Sequence, residues 1–268
     1  MNILLHTIAL EPARWTPLRV SQPLVKLLPR IAAHGFSQIE IFEPHLANEA
    51  EWPEIKAALK AANVEAVMLS SYMSLHPKAT PEAELDQRIG ELKRWLDAFG
   101  FRKVRIFPAA DVTEEGVRIL SARLRRLAAA IPHVEIVLET HDGSLADDPA
   151  LLVKMMENLD LPNVGLLYQP TFFDAKESLD QFELEKPFIR HLHLQGRPKD
   201  KSFVPLREGL VPWEKIISGL EREVTATLEF VPSGICPMEQ FDLEASLREA
   251  RDEVNYVEQL SAEAKGCR

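Results

Sequence analysis

The stretch of the chain with the clearest chemical potential is Val134–Gly143, whose sequence is VEIVLETHDG. An apolar, β-branched segment runs directly into Glu139 and His141 without a linker. The two-residue period of a strand places Val137, Glu139 and His141 in one row, and the intervening residues in the other. The pattern therefore predicts a buried strand that ends in a chemical site.

Other strand-like segments of the sequence also end in polar side chains. Glu40 stands at the second such segment, Gln169 at the sixth, His193 at the seventh and Glu229 at the eighth. If the strands are parallel, their carboxyl ends meet at one edge, and the ends of strands five to eight supply Glu, Gln, His and Glu. Oxygen donors with one imidazole suit a hard or borderline divalent cation such as manganese, magnesium, cobalt or zinc.

Each of these residues also has a purely structural interpretation. A single glutamate at a strand end is usually ion-paired or at the surface, and a single histidine on an apolar strand is usually a core residue. Glu40 could pair with Arg105 of strand four as a structural ion pair or, second, as a substrate clamp. His6 of strand one is interpreted equally as a packing residue or a substrate contact. The joint placement on consecutive strands favours a site, while His191, two positions deeper than His193, is expected either to support the site residues or to lie in the core.

Eight strand-like and eight helix-like segments alternate along the chain, which predicts parallel strands joined by right-handed crossovers and hence a (β/α)₈ barrel. An open, doubly wound sheet is the alternative, but the sequence has no glycine-rich phosphate loop. One domain is expected over residues 1–268, with a long C-terminal helix at about 238–262 that either closes the barrel or contacts a second copy of the chain. The expected strands are Met1–Leu10, Ser37–Phe42, Val64–Ser70, Lys103–Phe107, the strand within Val134–Gly143, Val164–Tyr168, Ile189–Leu194 and Val224–Phe230. The expected helices are Pro23–His34, Trp52–Ala62, Pro81–Phe99, Thr113–Ala130, Pro149–Leu159, Leu179–Glu185, Pro212–Leu220 and Met238–Ala262.

Composition narrows the function classes. The formal charge of −10 over 268 residues opposes binding of a polyanion, so a small neutral substrate is expected and a nucleic acid is not. The apolar runs are strand-sized, so neither a membrane span nor a signal peptide is predicted. Two cysteines, Cys236 and Cys267, make a disulfide framework improbable and fit a reducing, cytoplasmic setting.

Five segments resemble the xylose isomerase-like TIM-barrel superfamily of sugar isomerases, epimerases and related enzymes. They are HGFSQIEIF, VLETHDGSLAD, LPNVGLLYQPT, IRHLHLQGR, and EGLVPWEKIISGL leading to TLEF. The resemblance covers nearly the whole chain and implies a metal, manganese before magnesium, cobalt or zinc, held by Glu139, Gln169, His193 and Glu229. It also implies that Glu139 and Glu229 exchange the substrate proton.

The resemblance further implies substrate contacts from His141 and Arg197, which join Glu40 and His6 as candidate substrate-binding residues. Two positions depart from the family's pattern. Most relatives have Asp where Gln169 stands, and an amide should bind a cation more weakly than a carboxylate. Gly196 also stands where many relatives have Asp.

Three functions follow from the sequence. The first is a metal-dependent isomerase or epimerase of a small carbohydrate or polyol, working by proton transfer beside a metal-bound carbonyl. The second is a metal-dependent lyase or dehydratase acting on a keto acid or a 3-keto-glycoside. The third, motivated by Gln169, is a degenerate barrel without catalysis.

Overall fold

Eight parallel strands close into a barrel in the computed structural model, which describes residues 1–12, 14 and 20–266. Each strand pairs with its neighbours in sequence, and the last pairs with the first. The predicted barrel is therefore confirmed. The strands are β1 Asn2–His6, β2 Gln38–Phe42, β3 Glu65–Ser70, β4 Lys103–Ile106, β5 Glu135–Glu139, β6 Val164–Tyr168, β7 Ile189–Leu194 and β8 Thr225–Leu228.

A helix follows each strand and covers the outside of the barrel. The last helix packs against the seventh and the first, so it closes the outer ring. None of the described helices combines the length and apolar character needed to cross a membrane. The helices are α1 Leu24–Ala33, α2 Trp52–Ala62, α3 Leu85–Phe99, α4 Glu114–Ala130, α5 Pro149–Leu159, α6 Ala175–Glu185, α7 Trp213–Gly219 and α8 Leu243–Gly266.

The largest departures from the predicted boundaries have local causes. The predicted first strand was too long, because β1 ends at His6 and Thr7–Leu10 forms a 3-10 helix in which the Ile8 amide donates to the His6 ring. Helix α6 begins four residues before its predicted start, since the Asp174 carboxylate caps its first turn. Helix α8 begins at Leu243, after a 3-10 turn at Met238–Gln240, and Cys267 lies outside the described residues.

Alternation along the strands separates two apolar layers. Ile136 and Leu138 belong to the large core between barrel and helices, whereas Val137 lies in a small cluster inside the barrel. Leu4 and Leu167 share that inner cluster, and each of these three residues stands two positions before a polar one at the strand end. The inner apolar cluster thus fills the barrel below its polar end, and the polar groups collect at the carboxyl ends of the strands.

Candidate active site and metal centre

Three predicted ligands converge on one point at the carboxyl end of the barrel. His193 Nδ1 lies 3.5 Å from Glu139 Oε1 and 3.5 Å from Glu229 Oε2. One donor atom from each of the three residues lies within 4.8 Å of the other two. All three side chains are buried, with Glu229 the most exposed at 6%. The sequence prediction placed these residues together, and the structure does the same.

Gln169, the fourth predicted ligand, follows β6 between the strands that carry Glu139 and His193. Its backbone amide donates to Thr140 Oγ1, and the Thr140 hydroxyl donates to the Gln169 carbonyl. This cross-strand exchange fixes the backbone at the rim. The side-chain oxygen Oε1 is buried and accepts no hydrogen bond from any described residue, so its lone pairs are available to a cation.

Arg105 of β4 contacts Glu139, which corrects the predicted pairing of Arg105 with Glu40. Arg105 Nε lies 3.0 Å from Glu139 Oε2 and 3.0 Å from Ser70 Oγ, and both ionic side chains are 2% exposed. The guanidinium also lies over the ring of Phe107 at 4.1 Å and that of Tyr72 at 4.7 Å. Strand β4 pairs with β5 and not with β2, so Glu139 is the carboxylate within reach.

The charge of Arg105 keeps Glu139 ionised. Burial alone would raise the pKa of Glu139, but the positive charge of Arg105 and the close approach of His193 outweigh it and lower the pKa. One oxygen of Glu139 faces Arg105 and the other faces His193 Nδ1. The carboxylate is therefore held in place on one side and open to a ligand on the other.

Glu229 is held by a chain of polar contacts that begins at Arg197. Gln195 Nε2 donates to Glu229 Oε2 at 2.6 Å, and Arg197 Nε donates to Gln195 Oε1 at 2.8 Å. The Arg197 guanidinium also stacks on Phe203 at 3.5 Å. Arg197 thus acts on the site through Gln195. Sequence reasoning missed Gln195, although it stands two positions after His193 on the same row.

Glu40 and His6 lie deeper than predicted for substrate contacts, and both are fully buried. They face each other across the β1–β2 pairing, with Glu40 Oε1 3.3 Å from His6 Nε2. The Glu40 carboxylate also accepts a hydrogen bond from His193 Nε2, 3.1 Å from Oε2. His191 is a core residue, as predicted, and its ring nitrogens contact the hydroxyls of Thr225 and Thr227.

His141 does not continue the inward row of β5. The strand ends at Glu139, and His141 lies in an exposed turn with its ring against Phe107 and its Nδ1 2.8 Å from the Asp142 carbonyl. A cleft of about 750 Å³ opens beside this turn. It is lined by Phe172 and Phe173 and by both cationic and acidic side chains, and none of the four candidate metal ligands lines it. The charged residues are Lys176, Lys199, Lys201, Asp142, Asp147, Asp174 and Glu177.

Gly196 leaves no room for a side chain. A Cβ added there would lie 2.0 Å from the carbonyl oxygen of Val204, because the two residues form an antiparallel bridge. The aspartate that the resemblance leads one to expect at this position would collide with that backbone. The loop after β7 therefore requires glycine at position 196.

The donor set fits a divalent cation. Glu139 and Glu229 supply carboxylate oxygens, His193 a nitrogen and Gln169 an amide oxygen, which are ligands that magnesium-like and zinc-like ions accept. Two of these atoms, His193 Nδ1 and Gln169 Oε1, are buried without a hydrogen-bond partner among the described residues. Orphaned buried polar atoms are costly unless a bound group satisfies them.

Comparison with solved structures supports the fold. The probable 3-DHS dehydratase AsbF of Bacillus anthracis is 20% identical, with a TM-score of 0.68 over 92% of this chain and 98% of that one. A xylose isomerase-like TIM barrel protein from Mycobacterium smegmatis in complex with magnesium is 16% identical, with a TM-score of 0.71 over 98% and 97% of the two chains. An L-ribulose 3-epimerase is 14% identical, with a TM-score of 0.70 over 99% and 96%.

A search of curated protein sequences found no match. The model of one protein family matches residues 28–260, which is most of the chain. With the closed eight-stranded barrel and the polar groups at its carboxyl end, that match shows that the chain belongs to the xylose isomerase-like TIM barrel family.

Proposed function

We propose that the protein is a metal-dependent isomerase or epimerase of a small carbohydrate or polyol. The observation that carries the proposal is the pair of carboxylates, Glu139 and Glu229, that approach the same nitrogen of His193 at 3.5 Å from different strands. Two carboxylates around one point can remove and return a proton at one carbon. The L-ribulose 3-epimerase among the structural relatives supports the reaction class.

Glu139, Gln169, His193 and Glu229 would hold the cation in this proposal. A divalent cation bound there would polarise oxygens of the substrate and acidify the neighbouring C–H. Manganese and magnesium are the ions to test first, since both accept carboxylate and amide oxygens, and a magnesium complex occurs among the relatives.

The two carboxylates have different surroundings, which assigns their roles. Glu139 is held ionised by Arg105, so it is the base that takes the first proton. Glu229 accepts its hydrogen bond from the neutral amide of Gln195, and it would return to the substrate a proton that it has first taken from solvent. Phe172 and Phe173 follow Gln169 in the loop after β6 and line the rim cleft, where they can cover a sugar ring.

A lyase is the second candidate, and the Arg105–Glu139 pair favours it. A carboxylate held this firmly beside a guanidinium exists mainly in its charged form. This suits a mechanism with a single base better than one in which two carboxyl groups each take and give a proton. Elimination needs only one base at the carbon that loses its proton. The relative described as a probable dehydratase supports this class.

Product analysis in heavy water separates the two reactions. The purified protein is loaded with manganese or magnesium and given a panel of ketoses, polyols, 3-keto-glycosides and keto acids. An isomerase or epimerase returns a product of the same formula with deuterium on carbon, whereas a lyase loses water or an aglycone. If the protein binds no divalent metal even when metal is in excess, both proposals fail in this form.

Isosteric variants then test the bases. Glu139→Gln and Glu229→Gln should each abolish deuterium exchange at the substrate carbon. The matched control is Glu135→Gln, which changes the same residue type at the other end of β5, where the side chain pairs with Lys103. Exchange that persists in Glu139→Gln would move the base to another residue.

A further inference from the structure

Three buried histidines, one of them the candidate metal ligand His193, surround the carboxylate of Glu40. His6, His191, His193 and Glu40 are all fully buried. Glu40 Oε2 lies 3.1 Å from His193 Nε2 and 3.9 Å from His191 Nε2, and Glu40 Oε1 lies 3.3 Å from His6 Nε2. A carboxylate this deep has no path to a substrate, so its role must act through its neighbours.

The proton on His6 can be placed from its hydrogen bonds. His6 Nδ1 accepts the backbone N–H of Ile8 at 3.1 Å, so Nδ1 carries a lone pair and the ring proton sits on Nε2. His6 Nε2 lies 3.3 Å from Glu40 Oε1, a close electrostatic contact without hydrogen-bond geometry. The uncharged His6 ring therefore places the nitrogen that carries its proton next to the Glu40 carboxylate.

His193 uses its two nitrogens on opposite sides. Nε2 donates to both oxygens of Glu40, at 3.3 and 3.1 Å, while Nδ1 faces Glu139 and Glu229 and has no hydrogen-bond partner among the residues the structure describes. In a neutral imidazole ring, a carboxylate that accepts the proton of one ring nitrogen leaves the lone pair of the other for a ligand.

We propose that Glu40 is a positioning residue, which keeps the His193 proton on Nε2 and thereby presents the Nδ1 lone pair to a divalent cation. This inference rests on the metal-binding part of the proposed function. It also reassigns Glu40 and His6 from substrate contacts to the support of a metal ligand. Contacts of this kind typically change metal affinity by about 10- to 100-fold when they are removed.

The remaining contacts fix the histidine cluster around Glu40 in place. His191 is held by Thr225 Oγ1 at 2.5 Å and Thr227 Oγ1 at 2.8 Å, so its ring cannot rotate into a new contact with Glu40 without losing both. Glu40 itself pairs in register with His6 on β1. The carboxylate is therefore directed at His193 by two strands that hold no predicted metal ligand.

Nitrogen NMR of the wild-type protein tests the proposal without any substitution. In protein labelled with nitrogen-15 at histidine and loaded with magnesium or zinc, His193 should be protonated at Nε2 and bound to metal at Nδ1. A His193 ring that is protonated at Nδ1 and bound through Nε2 would overturn the proposal.

Calorimetric titration with manganese and magnesium supplies the second test. Glu40→Gln should weaken metal binding by about 10- to 100-fold, and the titration is repeated across a pH series to separate proton competition from loss of orientation. Glu185→Gln is the matched control, because Glu185 is another fully buried glutamate with no histidine contact among the described residues. Thermal melting of the metal-free proteins checks that both variants fold.

The outcomes separate the two proposals. If the wild type binds no metal, the proposed function fails regardless of Glu40. If the wild type binds one metal and Glu40→Gln binds it equally tightly with the same His193 tautomer, the positioning role fails and the proposed function stands. If the wild type binds two ions and Glu40→Gln loses one, the histidine cluster around Glu40 is itself a metal site, which also overturns the positioning role.

Discussion

Glu185, the last residue of α6, should make the stability of the folded protein fall as the pH rises through neutrality. Its side chain is fully buried, Oε1 accepts a hydrogen bond from Gln181 at 3.0 Å, and Oε2 has no partner among the described residues. Burial raises the pKa of this carboxyl from 4.5 to about 8. The folded protein therefore keeps a proton that the unfolded chain releases.

The sign and size follow from proton linkage. Below pH 4.5 both states hold the proton and Glu185 contributes its full stability. Between pH 4.5 and about 8 only the folded state holds it, so the free energy of unfolding falls by about 1.4 kcal/mol per pH unit. Across this window the loss is at most about 5 kcal/mol, and above it no more is lost. Such a loss is comparable with the whole stability of many domains.

Glu185→Gln should remove this dependence. Urea unfolding of wild type and variant is measured at a series of pH values, and the difference between their free energies of unfolding is plotted against pH. The contributions of all other titrating groups are common to both proteins and cancel in this difference. The two proteins should be similar near pH 4.5, and the variant should be the more stable near pH 8. Glu177→Gln, at an exposed position of the same helix, is the control. A difference that stays constant over the whole range would refute the protonated, buried Glu185.

Three further predictions concern the site. Arg105→Gln removes the guanidinium that pairs with the buried Glu139 carboxylate, so urea unfolding at neutral pH should show a loss of about 3–5 kcal/mol that shrinks in acid, where Glu139 takes up a proton; an equal loss at both pH values would contradict this. Metal affinity should rise with pH by up to about tenfold per unit, because burial lowers the pKa of His193 but the surrounding carboxylates hold it well above 6.5, and Nδ1 must lose its proton to bind. Calorimetry in buffers of different ionisation enthalpy should then show release of about one proton. Gly196→Ala should lower the melting temperature, since its Cβ would meet a backbone oxygen at 2.0 Å, whereas Gly90→Ala, in a helix with open space around it, should be neutral or stabilising.

The alternation of apolar segments was enough to predict the barrel, because strand and helix periods differ clearly and eight repeats leave few topologies. The same two-residue period placed Glu139, His193 and Glu229 on the inward face of the barrel, each at the end of its own strand. It failed at His141, because a two-residue period holds only while the chain is extended and β5 ends at Glu139. It failed again after His6, where apolar residues continue but the backbone turns into a 3-10 helix.

Pairing inside the barrel was harder to predict than position along a strand. Arg105 was correctly placed facing inward, yet its partner is Glu139 and not Glu40. Strand adjacency alone would have favoured β5 over β2, but the choice also depends on how far along its strand each carboxylate lies. Gln195 was missed because an amide after a strand has no chemistry of its own until its acceptor, Glu229, is known.

Charge balance gives a physical reason for an amide at position 169. Three buried carboxylates, those of Glu40, Glu139 and Glu229, meet at His193. One buried guanidinium, that of Arg105, offsets one of their charges. With a neutral imidazole the cluster then carries two negative charges, which one divalent cation would balance. A carboxylate at position 169 would leave a further buried negative charge uncompensated, and such a charge is costly. The site therefore has the charge for a divalent cation with Gln169 as a neutral oxygen ligand.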